Sequence, residues 1–296
     1  MKPLLKWIGG KQKLLDFIFP HIPKKMNNYH ELFLGGGSVL LKLLEKQKIN
    51  DIVVKKNIYA YDLNPILIAF YKQIQKDHNK LYIEVMKLKE EWQDQNNEGK
   101  TAYYYKIRTL YNSTILDIKK IAMFVFLNKT CFRGLYRINK SGKFNVPYGN
   151  YKNPQIADID NWKKVSELIK NVNFICCDFE SLFANFFIKN MNKNDFIYMD
   201  PPYVPEKKNG FVNYSKEGFT KEKHEKLFEM CNKLNCKFLM SNSNTDMVIN
   251  NFKKFNINEI LARRAINSKN PKATTTELLI NNYKLRPHSK AHLPII

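Results

Sequence analysis

Tyr29-His30-Glu31-Leu32-Phe33 runs into Leu34-Gly35-Gly36-Gly37-Ser38, and then into Val39-Leu40-Leu41 with Leu43 and Leu44 close behind. The first five residues predict a strand. The last group predicts an apolar helix, with Ser38 placed as its N-cap. Strand, glycine turn and helix form the opening unit of a nucleotide-type α/β fold. The three glycines are consecutive, so this is not the spaced G-x-G-x-x-G fingerprint. Glycine at a strand tip still admits a bulky cofactor. The competing reading is a plain flexible turn, and the neighbouring segments must choose.

Working outward, the pattern repeats. Asn57-Ile58-Tyr59-Ala60-Tyr61-Asp62 predicts a second strand whose terminal acid is placed to accept hydrogen bonds from both ribose hydroxyls. Asn64-Pro65 then starts a helix. Val172-Asn173-Phe174-Ile175-Cys176-Cys177 predicts a third strand, ending at Asp178. Asp178 is placed to meet a cofactor base that Phe179 stacks on, or to cap the next helix, and the two roles are compatible. Phe196-Ile197-Tyr198-Met199 predicts a fourth strand, ending at Asp200-Pro201-Pro202-Tyr203. A fifth strand is expected over 237–241 after an amphipathic helix at 220–235. Two more follow, over 256–260 and 277–283, joined by a basic loop from Arg263-Arg264 to Lys272. One acid at a strand end is ordinary. Four special tips, Gly35, Asp62, Asp178 and Asp200, argue for one crevice at the carboxyl ends of an open sheet.

Asp200-Pro201-Pro202-Tyr203 carries the chemistry. The two prolines fix φ twice and leave two carbonyls without neighbouring N–H groups. Acceptor, rigid carbonyl and ring in a row suit a planar exocyclic amine. Taken alone, the tetrapeptide also reads as a strand followed by a proline-rich turn.

Between 67 and 152 the character changes. Helices are expected over 67–97 and 101–127, with Tyr103, Tyr104, Tyr105 and Tyr111 as the core of a small helical insert. Residues 128–139 and 144–149, around the turn Lys140-Ser141-Gly142-Lys143, predict a β-hairpin with a basic tip. Such a ribbon fits the DNA major groove, where arginine reads guanine; the alternative is a surface hairpin with solvated lysines. At the start, Lys6-Trp7-Ile8-Gly9-Gly10-Lys11 is a glycine turn without Walker A spacing, and a helix is expected over 12–19.

The 296 residues allow one large α/β domain with an insertion, or two domains. Lys and Arg number 49 against 27 Asp and Glu, a formal net charge of +22. That excess points to a polyanion, nucleic acid first, although a solvated lysine surface needs no partner. The five cysteines are odd in number and lack C-x-x-C spacing, so neither a zinc site nor a disulfide framework is indicated and a cytosolic protein is expected. No apolar run has membrane-spanning length.

Together these segments resemble the S-adenosylmethionine-dependent adenine-N6 DNA methyltransferases of the α arrangement, in the subgroup exemplified by Dam. The resemblance covers nearly the whole chain. It rests on Leu5 through Lys11, on Glu31 through Ser38, on Asp62-Leu63-Asn64, on Phe144-Asn145-Val146-Pro147-Tyr148-Gly149 and on Asp200 through Tyr203. It implies a Rossmann-like methyltransferase sheet of residues 1–66 and 153–285, a mainly helical target-recognition insert at 67–152 carrying the hairpin, and a tail at 286–296. It implies that Trp7, Lys11, Phe33, Gly35, Asp62, Asp178 and Asp200 surround S-adenosylmethionine. Asp200, Pro201, Pro202 and Tyr203 would hold a flipped adenine. Phe132, Arg133, Leu135, Arg137, Lys143 and Pro147 would meet double-stranded DNA, with Arg137 reading guanine and Pro147 near a thymine methyl. Phe132 and Arg133 stand where Dam has tyrosine and asparagine, which leaves the recognition sequence open. No metal is required by this chemistry. A monomer, acting in a prokaryotic cytoplasm or in a virus-infected cell, is expected. The other readings are a methyltransferase for cytosine N4, an RNA base or a protein glutamine, and a non-catalytic DNA-binding protein of the same fold.

Overall fold

The computed structural model describes residues 1–206, 219–263 and 274–285; the expected basic loop beyond Arg263 and the tail 286–296 lie outside the described residues. Seven strands form one sheet: β1 (Tyr29–Leu32), β2 (Ile58–Asp62), β3 (Val172–Cys176), β4 (Phe196–Met199), β5 (Lys237–Ser243), β6 (Asn256–Arg263) and β7 (Thr274–Asn281). Their order is β3-β2-β1-β4-β5-β7-β6. The first five are parallel, and β7 inserts antiparallel between β5 and β6. The order reverses between β1 and β4, so the sheet has its switch point there, where open α/β sheets bind ligands. β1 and β4 are buried at all four positions, as parallel strands covered on both faces must be, β4 with apolar side chains and β1 with His30 and Glu31 among its four.

Register decides what the switch point displays. Leu32 lies opposite both Tyr61 and Met199. The next row therefore holds Phe33, Asp62 and Asp200 level at the carboxyl edge. Hydrogen bonds from Leu34 N to Tyr61 O (2.9 Å) and from Asp200 N to Leu32 O (3.4 Å) fix that row.

One face of the sheet packs on helices α1 (Ser38–Lys48), α2 (Pro65–Gln93) and α5 (Ile159–Leu168). That core continues without interruption into the insert, through Tyr104, Phe124, Phe126 and Val146. The other face is covered by a second core containing Phe179, Phe183, Phe187, Leu227, Phe228 and Phe252. It includes the inner side of α6 (Lys221–Asn232) and the short α7 (Asp246–Phe252).

Several local expectations are corrected. Ser38 does not cap α1; Gly37 stands at the N-cap with φ 66°, and Ser38 is the first helical residue. The predicted helix over 101–127 is two helices, α3 (Asn97–Ser113) and α4 (Ile118–Thr130). Asp117 starts the second, its side chain accepting from Lys120 N at 2.8 Å. The helix expected at 12–19 is a chain of short turns at Lys11–Lys13, Leu15–Ile18 and Phe19–His21. A small parallel pair, Lys25–Met26 with Val53–Val54, was not foreseen. α2 begins at Pro65 and is kinked at Asp77, whose φ and ψ are non-helical.

The expected hairpin is an irregular ribbon. Its two arms share only isolated antiparallel bridges, Cys131 with Tyr148 and Ile138 with Phe144, and a 3₁₀ turn occupies Phe132–Gly134. Pro147 has no N–H to give to a ladder, and its carbonyl instead accepts from Phe132 N at 2.9 Å. Among the described residues no helix is long and apolar enough to cross a membrane.

Candidate active site

The glycine turn after β1 is bare by necessity. Gly35 has φ 51° and Gly37 φ 66°. A Cβ on Gly35 would stand 2.9 Å from the Trp7 indole, and one on Gly37 2.7 Å from the Tyr71 hydroxyl. Trp7 therefore lies directly against glycine backbone. Gly35 N donates to Asp62 Oδ2 at 3.0 Å, and Asn64 N donates to Asp62 Oδ1 at 2.9 Å. Burial raises the Asp62 pKa; the Gly35, Asn64 and Leu63 amides oppose the rise. The acid is thus anchored by both oxygens between the first two strand tips. Phe33, itself at φ 61°, faces Phe179 at 5.8 Å and Phe219 at 6.0 Å between ring centroids, forming an aromatic wall beside it. Asp178 caps the short helix that follows β3, accepting from Glu180 N at 3.1 Å.

Across the switch point stands Asp200. Lys11 Nζ approaches its Oδ1 to 2.7 Å, with Lys11 buried and Asp200 largely so. Burial pushes the Asp200 carboxyl up to about 6, against the opposing charge and hydrogen bond of Lys11; the charge of Glu277 adds to the rise and the Tyr203 hydroxyl opposes it. Lys11 also donates to Gly9 O at 2.7 Å and lies 4.8 Å from the centroid of the Tyr203 ring. The loop after Asp200 is tied to the end of β5. Val204 N donates to Asn242 Oδ1 at 3.1 Å, and Ser243 Oγ donates to Val204 O at 2.5 Å. Pro201 is buried and Pro202 half-buried. The tetrapeptide is thus held at both ends, and its own prolines remove slack between them.

Beneath the turn, Glu31 is 2 % exposed and accepts from the Tyr29 hydroxyl at 2.6 Å. Burial lifts its pKa to about 8, so it is a neutral acid at pH 7. His30, stacked on Tyr59 and bonded to the Tyr61 hydroxyl, is lowered to about 4 by burial and is neutral as well.

The insert reaches this site through its α4 end. Asn128, 2 % exposed, receives Lys6 N at 2.9 Å and donates to Lys6 O at 2.7 Å, pairing with the N-terminal motif as a strand edge would. Trp7 stacks on Tyr136 of the ribbon at 5.8 Å. Beyond it, Phe132, Arg133, Arg137, Lys143 and Pro147 are exposed and Leu135 is half-buried. Arg133 takes φ 56°, a region that asparagine tolerates better than arginine, and its guanidinium lies over the Phe132 ring. Arg137 donates from Nε to Asn145 Oδ1 at 2.8 Å.

The structure thus gathers Trp7, Lys11, Phe33, Gly35, Asp62, Asp178 and Asp200 along one sheet edge, with the six ribbon residues on a separate element joined at Trp7. Sequence reasoning missed Glu277, whose Oε2 accepts from the Tyr203 hydroxyl at 2.7 Å. It also missed Asn128, Asn242 and the pairing of Lys11 with Asp200. Buried asparagines at strand and helix ends are the one signal that could have flagged the first pair.

The sequence matches the family model described as D12 class N6 adenine-specific DNA methyltransferase over residues 7–266. It is 39% identical over 298 residues to the Type II methyltransferase M.MjaIII of Methanocaldococcus jannaschii, covering 96% of this chain and 99% of that one. The Type II methyltransferase M1.LlaDCHI of Lactococcus lactis is 32% identical, with 96% of each chain covered. The DNA adenine methylase of Haemophilus influenzae is 30% identical over 91% of this chain and 89% of its own.

Proposed function

This chain belongs to the D12 class N6 adenine-specific DNA methyltransferases, and we propose that Asp200, Pro201 and Tyr203 hold the target adenine while the crevice from Trp7 to Asp178 seats S-adenosylmethionine. The residues fit that cofactor. Gly35 leaves backbone bare where a Cβ would fill the space, Asp62 offers a fixed carboxylate at the β2 tip, and Phe33 and Phe179 form an apolar wall. S-adenosylmethionine, when bound, supplies a methyl group already activated on a positive sulfur.

The chain's own groups do the rest. Adenine N6 is unreachable in a stacked duplex, so the base must leave the helix. Tyr203 would stack on it. Asp200 and the Pro201 carbonyl would accept the two N6 hydrogens, turning the nitrogen lone pair out of conjugation with the ring. When N6 takes the methyl group it becomes positive and must lose one proton, and Asp200 is the adjacent base. The observation that carries this reading is the fixed loop at the β4 tip: Asp200 and the Tyr203 ring lie side by side there, with Val204 pinned to Asn242 and Ser243 and Lys11 holding the carboxylate at 2.7 Å. The carboxylate is thus held where it can also face the positive charge that methylation creates at N6. The large positive net charge gives sequence-independent affinity for DNA, and the ribbon is the reader: Arg137, Leu135 and Pro147 at base edges, Phe132 and Arg133 entering the stack, Lys143 on phosphate.

Asp200→Ala tests the assignment. Methyl transfer to DNA is expected to fall by roughly 10²–10³-fold or more, the range seen when one transition-state electrostatic group is removed. Binding of DNA and of S-adenosylmethionine is expected to persist. Turnover retained in that variant overturns the reading.

A further inference from the structure

Tyr203 is the ring of the proposed adenine clamp among the described residues, and a ring that stacks on a base is useful only if its plane is fixed. Backbone restraints on the loop end at Val204, which Asn242 and Ser243 hold. They leave the Tyr203 side chain free about its own torsions. A group from a different strand supplies the missing restraint. Glu277, near the start of β7, is paired in register with Ser243 of β5 and Ile260 of β6. Its Oε2 accepts from the Tyr203 hydroxyl at 2.7 Å. Lys11 lies 4.8 Å from the centroid of the same ring. Tyr203 is thus constrained at its tip by a carboxylate and accompanied at its face by a cation. A hydrogen bond at 2.7 Å from the ring's tip to a side chain of another strand can select one ring orientation.

We infer that Glu277 is a positioning residue for methyl transfer: it touches no reacting atom, and it orients Tyr203 so that the flipped adenine presents N6 to Asp200. This rests on the clamp reading above. Inserting β7 between β5 and β6 then has a mechanistic use, because it brings a third strand's side chain to the carboxyl edge beside β4.

A double-mutant cycle tests it, using the full chain and a DNA duplex containing its methylation site. Glu277→Met keeps the side-chain length and loses the carboxylate; Glu277→Gln keeps an oxygen acceptor; Tyr203→Phe removes the same bond from the other side. Because both groups also act on Asp200, all rates are compared on the high-pH plateau, where Asp200 is ionised in every variant. The single-turnover rate is expected to fall about tenfold in Glu277→Met and in Tyr203→Phe, equivalent to ~1.4 kcal/mol of barrier. Dissociation constants for DNA and S-adenosylmethionine should stay within about twofold, and Glu277→Gln should recover most of the rate. The double variant should be no slower than the slower single one, since both remove one contact. Multiplying losses in the double variant, or a wild-type rate in folded Tyr203→Phe, overturns the proposal, and the latter outcome stands even if Glu277→Met fails to fold. Failure of the clamp itself is read separately, as turnover surviving Asp200→Ala.

Discussion

Asp200 and Arg137 are held in opposite ways. Asp200 leaves a strand flanked by hydrogen-bonded neighbours on both sides, and its loop is pinned again at β5. Arg137 leaves a ribbon with two isolated bridges, and its returning arm is held from outside by α3. Tyr104, Arg108 and Asn112 lie four residues apart on one face of that helix. The Tyr104 hydroxyl donates to Val146 O at 2.9 Å and Arg108 Nη1 to the same oxygen at 3.1 Å. Asn112 donates to Phe144 O at 3.0 Å and accepts from Phe144 N at 2.8 Å. The proposed clamp is thus set by the ladder of the sheet itself. The proposed reader is held by three side chains of α3, which lie outside the sheet although Tyr104 is part of the shared core. If the two assignments hold, a reader held apart from the clamp would let the target sequence change while the reaction does not.

The strongest challenge to that contrast is at the rigid end. In the proposed clamp the Asp200 carboxylate accepts an N6 hydrogen in its ionised form, and burial pushes its pKa up to about 6. The single-turnover rate should therefore fall as pH drops through about 6 and level off above it. Lys11 opposes the rise in that pKa by its charge and hydrogen bond. Lys11→Met should leave the carboxylate more easily protonated and move the acid limb of the rate profile to higher pH. A limb that stays in place would mean that Lys11 does not set the ionisation of Asp200, and that the sheet edge is less tightly coupled than the geometry indicates.

How much of this was legible in sequence follows the same division. The strand tips were visible because an apolar run ending in an acid or glycine marks both the strand and its functional end; Gly35, Asp62, Asp178 and Asp200 all came from that one pattern. The break between α3 and α4 was hidden because Ile115 and Leu116 continue an apolar pattern, although they are 80% and 53% exposed. The ribbon was expected as a hairpin because turn residues separate two short runs; its lack of a ladder depends on α3 supplying the partners, which no local pattern encodes. Glu277 follows three threonines and reads as a polar position on an edge. Only the antiparallel insertion of β7 brings it to Tyr203.

At the ribbon, two substitutions separate reading from support. Arg137→Ala should remove discrimination at one base pair, ~1–3 kcal/mol if the contact is bidentate, and leave protein stability unchanged. Asn112→Ala strands the buried backbone of Phe144 without its partner, at ~1–3 kcal/mol. It should lower stability and weaken cognate binding while methyl transfer from the bound complex proceeds. Site preference measured on duplexes with single base-pair changes, beside thermal unfolding, distinguishes the two. Unchanged site preference in Arg137→Ala would remove the ribbon from its role as reader.

The smallest expected effect is the most specific to how the arginine is presented. Arg137 is exposed, and a free guanidinium would lose much rotational freedom on docking to a base edge. Asn145 Oδ1 holds Nε at 2.8 Å, and Asn145 O receives Nη2 at 3.4 Å. That hold restricts the side chain before DNA arrives, as a planar fork gains most from being pre-set. Asn145→Ala should cost ~0.5–1.5 kcal/mol, the net worth of one such hydrogen bond. The loss should appear in cognate affinity and not in affinity for duplexes already changed at the base pair that Arg137 reads. Equal loss on both would mean that Asn145 supports the ribbon as a whole, as Asn112 does, and that the reader carries no restraint of its own.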